Sequence, residues 1–196
     1  MITELAKAFI ALFIIIDPFV SMPVFISLTR WQNDKRKNKE AFLAVGVAFV
    51  MLTLLLFVGM VLLEIMKISL SSFQIAGGII LLIMGIQSVL GLEFSKTKVK
   101  KRMVGVVIGT PLLTGPGALT TVVILSKSYG WLIPLTASAL VLFITWLILR
   151  FSTQITKFLG AEIVEIMSRV MGLLLAAIAV QFIIEGAVGV NILGII

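Results

Sequence analysis

Two short stretches of this sequence carry the residues that could do chemistry. The first reads Asp17-Pro18-Phe19-Val20-Ser21-Met22-Pro23 and the second Thr110-Pro111-Leu112-Leu113-Thr114-Gly115-Pro116. Both contain Pro-x-x-(Ser/Thr)-x-Pro, and they lie 93 residues apart. A proline inside a helix removes an N–H, and its ring collides with the preceding turn, so two within six residues break the helix. Pro23 and Pro116 suit the first turn of a new half-helix, where a missing N–H is no loss. Ser21 and Thr114 are spaced to cap those starts. The unpaired amides of a half-helix N-terminus favour an anionic group such as a carboxylate.

Asp17 places an ionisable group in the middle of an apolar stretch. Such a location is costly and marks a functional residue by default. Its carboxyl could hold an ammonium, bind a coupling cation (H+ or Na+), or gain and lose a proton. Its bland role would be to cap the helix beside Pro18. Thr110 stands at the equivalent position of the second stretch, so the pair carries one formal charge. Gly115, Gly117, Thr114, Thr120 and Thr121 would line a small polar wall suited to a small ligand, although small residues equally serve helix packing. The expected substrate-lining set is Asp17, Pro18, Phe19, Ser21, Pro23, Thr110, Pro111, Thr114, Gly115, Gly117 and Thr120.

Other chemistries lack their residues. The chain has no cysteine and no histidine, which removes thiol nucleophiles, Ser-His triads and zinc sites built on those ligands. Neither cofactor nor metal is expected beyond a coupling cation. An intramembrane aspartyl enzyme needs two carboxyls, and only Asp17 lies clearly within a span, so the chain does not read as an enzyme.

The elements that position these residues follow from composition. Of 196 residues, 60% are hydrophobic and 13% are charged, against roughly a quarter charged in soluble domains. One core of this size could not hide so much apolar surface, whereas lipid can solvate it. The net charge of +7 sits in short runs between apolar stretches without interleaved aromatics, which argues for headgroup contact rather than nucleic acid.

Uncharged runs cover 41–63, 68–92, 103–126 and 128–149, each longer than the ~20 residues that cross a bilayer as a helix. A first span over 8–29 is interrupted only by Asp17, and a last one runs from Val170 to about Asn191. Six spans result. Arg30, Lys35, Arg36, Lys37, Lys39, Lys96, Lys98, Lys100, Lys101, Arg102, Arg150, Lys157 and Arg169 fall on one side, against Lys7, Lys67 and Lys127 on the other. The bias puts the first group in the cytoplasm and both termini outside the cell membrane. The connection over 151–168 reads as either an interfacial helix or a solvated loop.

A second internal match supports a duplication. Gly78 and Gly172 each precede a glutamine by nine residues, Gln87 and Gln181, at an offset of 94. Three spans per half is an odd number, so the halves enter the membrane in opposite senses. The expected fold is a single all-α membrane domain of six helices in two inverted repeats, 1–95 and 96–196, with helices one and four discontinuous. Paired discontinuous helices in the two halves are the sequence mark of a transporter's midplane site.

At these residues the chain resembles the MarC/SnatA family of small membrane proteins. The likeness rests on Asp17-Pro18 with Pro23-Val24-Phe25, on the run from Thr110 through Thr121, and on Arg169-Val170-Met171-Gly172 through Gln181-Phe182-Ile183. It implies a six-helix inner-membrane protein, with a small neutral amino acid as the preferred ligand. The family's association with antibiotic resistance keeps export of another small compound, or ion conduction, as the alternative.

The topology is testable by accessibility. Single cysteines replacing Asn33 and Lys98 are expected to react with an impermeant maleimide only from the cytoplasmic side, and one replacing Ser69 only from outside. Labelling of positions 33 and 69 from the same side would contradict the alternating arrangement.

Overall fold

The computed structural model describes residues 2–91 and 113–192. Its helices are α1 (Ile2–Ile16), α2 (Pro18–Thr29), α3 (Asp34–Ile65), α4 (Leu70–Val89), α5 (Pro116–Tyr129), α6 (Leu132–Arg150), α7 (Ser152–Leu159) and α8 (Ala161–Ile192). There is no strand among the described residues. Five stretches are long and apolar enough to cross a membrane: Ile2–Thr29 taken across its break, Asp34–Ile65, Leu70–Val89, Leu132–Arg150 and Ala161–Val190. The expected span over 103–126 is described only from residue 113 onward. Its described helix, α5, has 14 residues and reaches roughly 21 Å, short of the ~30 Å hydrocarbon core.

Local chemistry sets the helix starts. The Asn33 side chain accepts the Arg36 N–H at 3.0 Å and caps α3. The cations Lys35, Arg36, Lys37 and Lys39 therefore ride on the first turns of a long helix. The Ser69 hydroxyl caps α4 in the same way, accepting the Ser72 N–H at 3.0 Å.

One expectation is corrected here. The last helix begins at Ala161, not near Val170, because Gly160 takes a positive φ of 85° that closes α7 and lets a new helix start at once. Glu162 then lies in the first turn of α8, where the helix dipole favours a carboxylate, and Glu165 pairs with Arg169 one turn on at 2.6 Å. The connection over 151–168 is thus the short helix α7 plus the first turns of α8. Gln181, the repeat counterpart of Gln87, donates to Glu185 of its own helix at 2.8 Å.

Among the described helices, α4 and α8 make the most extensive contact. Their backbones approach where glycines leave room. A Cβ on Gly85 would sit 2.8 Å from the Gly172 carbonyl oxygen, and one on Gly78 would sit 2.8 Å from that of Ala179. Helix α1 packs on α6, α3 on both α6 and α5, and α4 on α5. Leu12, Ile16, Phe25, Leu52, Leu81, Leu113 and Leu142 are fully enclosed in the shared core. The outward faces stay apolar, with Phe42, Leu54, Phe57, Ile83, Phe143, Leu173 and Ile184 exposed. Apolar exposure on that scale is a lipid-facing surface. The arginines at the helix ends lie on aromatic rings, Arg30 at 4.6 Å from the Trp31 centroid and Arg150 at 5.2 Å from that of Trp146.

Candidate functional site

The first interruption lies at Asp17. Pro18 has no N–H to give to the Ile14 carbonyl, and its ring disfavours helical geometry in the residue before it. Helix α1 therefore stops at Ile16, and Asp17 turns left-handed with φ 41° and ψ 78°. Aspartate tolerates that region better than most side chains. The Asp17 N–H donates to the Phe13 carbonyl at 3.1 Å, while its carboxyl Oδ1 accepts the Val20 N–H at 3.2 Å. Asp17 is thus the N-cap of α2, with Pro18 at the first helical position. The residue is only 5% exposed, and its other carboxyl oxygen, Oδ2, is buried without a hydrogen-bond partner.

This moves the expected half-helix start. Pro23 lies inside α2 on an exposed face and does not begin the helix, which starts five residues earlier at Pro18. Ser21 is not a cap either. Its N–H and its hydroxyl both donate to the Asp17 carbonyl, each at 3.3 Å. Phe19 is half-buried and meets Phe13 edge-on across the break, with ring centroids 6.3 Å apart.

The second interruption precedes α5, and there Pro116 does occupy the first helical position. Gly115 is the N-cap, with φ −56° and ψ 162°, the extended geometry a proline imposes on its predecessor. Its carbonyl accepts the N–H groups of Ala118 at 2.9 Å and Leu119 at 3.2 Å. Thr114, expected as the cap, stands one residue before it and is buried. Thr110 and Pro111 lie outside the described residues.

Two of the expected wall residues pack between helices. A side chain on Gly117 would collide with Leu81, and one on Gly77 with Thr120. Thr120 donates its hydroxyl to the Pro116 carbonyl and Thr121 to that of Gly117, both at 2.8 Å. The close approaches at Gly117 and Gly77 hold α5 against α4, whereas the two hydroxyl bonds stay within α5. Both interruptions border one buried apolar cluster, which contains Ile14, Ile15 and Ile16 from the first side and Leu113 and Ala118 from the second.

The two breaks differ in electrostatics. The positive end of α2 already faces a carboxylate of its own chain. Gly115 offers α5 no side chain, and the Gly117 N–H at the second helical position has no carbonyl within the helix to reach. An external anion therefore suits α5 better than α2. The carbonyls that end α1 were expected, beside Asp17, as partners for a ligand's ammonium. Their signal was present in Pro18, whose missing N–H leaves the Ile14 carbonyl without its helical donor.

A family model described as MarC family integral membrane protein matches residues 2–191. The UPF0056 membrane protein YhcE of Escherichia coli is 31% identical over 200 residues, covering 94% of this chain and 92% of that protein. A UPF0056 membrane protein of Archaeoglobus fulgidus is 35% identical over 191 residues, with coverages of 91% and 90%. One from Methanocaldococcus jannaschii is 33% identical over 194 residues, with coverages of 93% and 95%. No solved structure matches the chain.

The capping role of Asp17 can be separated from its charge. Asp17→Asn keeps an acceptor for the Val20 N–H and tolerates positive φ, so its unfolding midpoint in detergent with choline as the counter-ion should stay close to that of the parent. Asp17→Ala loses the cap and with it the local side-chain bonding that makes the left-handed region tolerable for aspartate, a destabilisation of about 2–3 kcal/mol. Equal losses in the two variants would contradict the capping geometry.

Proposed function

The chain belongs to the MarC family of integral membrane proteins, and from that premise we propose that it is a secondary transporter of small neutral amino acids of the alanine and glycine type. The observation that carries this reading is the pair of proline-set helix starts, one in each half of the chain, bordering one buried core. Discontinuous helices placed in this way build midplane substrate sites in transporters assembled from inverted repeats.

In this reading the chain spans the cell membrane six times, with both termini outside and the halves related by a pseudo-two-fold axis in the membrane plane. The packing supports the relation through reciprocal pairs. Gly78 meets Ala179 and Gly85 meets Gly172, and adding 94 to the first member of either pair yields the second member of the other. Likewise α1 packs on α6 while α3 packs on α5, the equivalent contact with the halves exchanged.

The ligand's polarity follows from the two breaks. Its carboxylate takes the amide end of α5, which has no acidic side chain in its first turn. Its ammonium turns to the first break, where oxygen acceptors predominate. The close packing of Gly77 against Thr120 and of Leu81 against Gly117 leaves little width beside α5, which favours the smallest side chains. Alternating access then follows from one half rocking against the other about this site.

The test is uptake of labelled alanine into proteoliposomes, with unlabelled competitors. Alanine and glycine should compete, whereas alaninamide, which lacks the carboxylate, should compete at least tenfold more weakly, the weight of one charge-assisted hydrogen bond. Equal competition by alaninamide would remove the carboxylate from the site. Absence of uptake for every small amino acid would overturn the transport reading.

A further inference from the structure

The first break has more acceptors than donors. The Asp17 N–H is taken by the Phe13 carbonyl, the Val20 N–H by Asp17 Oδ1, and the Ser21 N–H and hydroxyl by the Asp17 carbonyl, while the Phe19 N–H faces the Asp17 carboxyl short of a full hydrogen bond to Oδ2. Pro18 has no N–H at all. Helix α1 ends at Ile16, so no later turn of its own can supply donors to the carbonyls of Ile14, Ile15 and Ile16. Among the described residues no hydrogen bond from outside α1 reaches them either. These residues are all buried, as is the unpartnered Oδ2 of Asp17. Within a span such groups must meet a partner or line a wet cavity.

Among the described residues the Asp17 charge has no ion-pair partner. Lys7, the basic residue of α1, is ten positions away, roughly 15 Å along the axis. The helices packed on α1 and α2 carry Lys127 in the last turn of α5, Arg150 at the end of α6 and Lys157 on α7. On α8, Arg169 is paired with Glu165, and the remaining ionisable groups, Glu162 and Glu185, are acidic, as is Glu4 of α1. A zwitterionic amino acid brings no net charge. Its arrival would leave the Asp17 carboxylate unneutralised in the bilayer.

We infer that the Asp17 carboxylate and the carbonyls ending α1 form a binding site for a monovalent metal cation, with Na+ as the first candidate. A proton would neutralise Asp17 but satisfy a single further acceptor. A metal cation engages several oxygens at once, and unwound carbonyls with half-helix C-termini are a recurring Na+ environment. One carboxylate balances one charge, so a divalent ion would leave an excess. Binding stands on the geometry alone, while a role for the ion in coupling rests on the transport reading above.

The experiment is thermal unfolding of the full-length protein in detergent without amino acid, in NaCl and in choline chloride at equal ionic strength. NaCl should raise the midpoint by roughly 5–10 °C at a hundredfold excess over Kd. Asp17→Asn and Pro18→Ala should each abolish the rise, the first by removing the charge and the second by returning a donor to the Ile14 carbonyl. If Asp17→Asn does not fold, Pro18→Ala decides alone. No rise in the parent, or the same rise in both variants, would overturn the site. So would stabilisation by alanine with none by NaCl, which would leave the acceptors to the ammonium alone. A NaCl rise without uptake of any amino acid keeps the cation site and removes the transport reading. Uptake without a NaCl rise does the reverse.

Discussion

A backbone carbonyl inside a bilayer has no water to turn to, and Pro18 withholds the N–H that would have satisfied one. The features of the first break descend from that missing donor. Helix α1 ends at Ile16, Asp17 leaves helical geometry, and a second helix restarts at once with Pro18 in its first position. The carboxylate of Asp17 repairs only the amide side of the interruption, through Val20. The carbonyl side, with Ile14, Ile15 and Ile16, is left rich in acceptors and enclosed by apolar neighbours. In water the same break would be an ordinary turn. In a membrane it demands a polar partner.

The second break is built differently, and in the proposed transport reading that difference orients the ligand. Gly115 allows the chain to run extended into Pro116 but brings no carboxyl with it. One helix start therefore carries its own anion while the other has no acidic side chain in its first turn. The frame around both is set by small residues. Gly78 and Gly85 let α4 approach the backbone of α8, and Gly77 and Gly117 bring α4 against α5. Close contact of this kind contributes dispersion energy that lipid cannot match residue for residue, and it fixes helix positions without polar side chains.

Much of this was legible in the sequence, for physical reasons that can be named. Uninterrupted apolar runs identified α3, α4 and α6, because length in lipid is dictated by thickness. The doubled proline motif identified two interruptions, because proline cannot donate. The exact site of the first was misjudged, since both Pro18 and Pro23 could have opened the helix. Asp17 decides between them: it offers a cap and accepts the left-handed backbone, whereas Met22 before Pro23 offers no cap. Gly115 plays the deciding role before Pro116. The early start of α8 was hidden because charge density around Glu162 and Glu165 reads as a separate interfacial helix or a loop, although the same carboxylates stabilise a helix N-terminus. The contacts of Gly117 and Thr120 depend on which face of α5 meets α4, and spacing alone does not reveal that.

The account turns on the first break being a polar, ligand-bearing interruption and not a packing kink. An experimental structure of the protein in lipid, determined with alanine and NaCl present, examines this directly. The account predicts density for a small ligand at the start of α5 and for an ion beside Asp17 Oδ2 and the last carbonyls of α1. A dry, close-packed break with neither density, the helix ends meeting only apolar side chains, would contradict it.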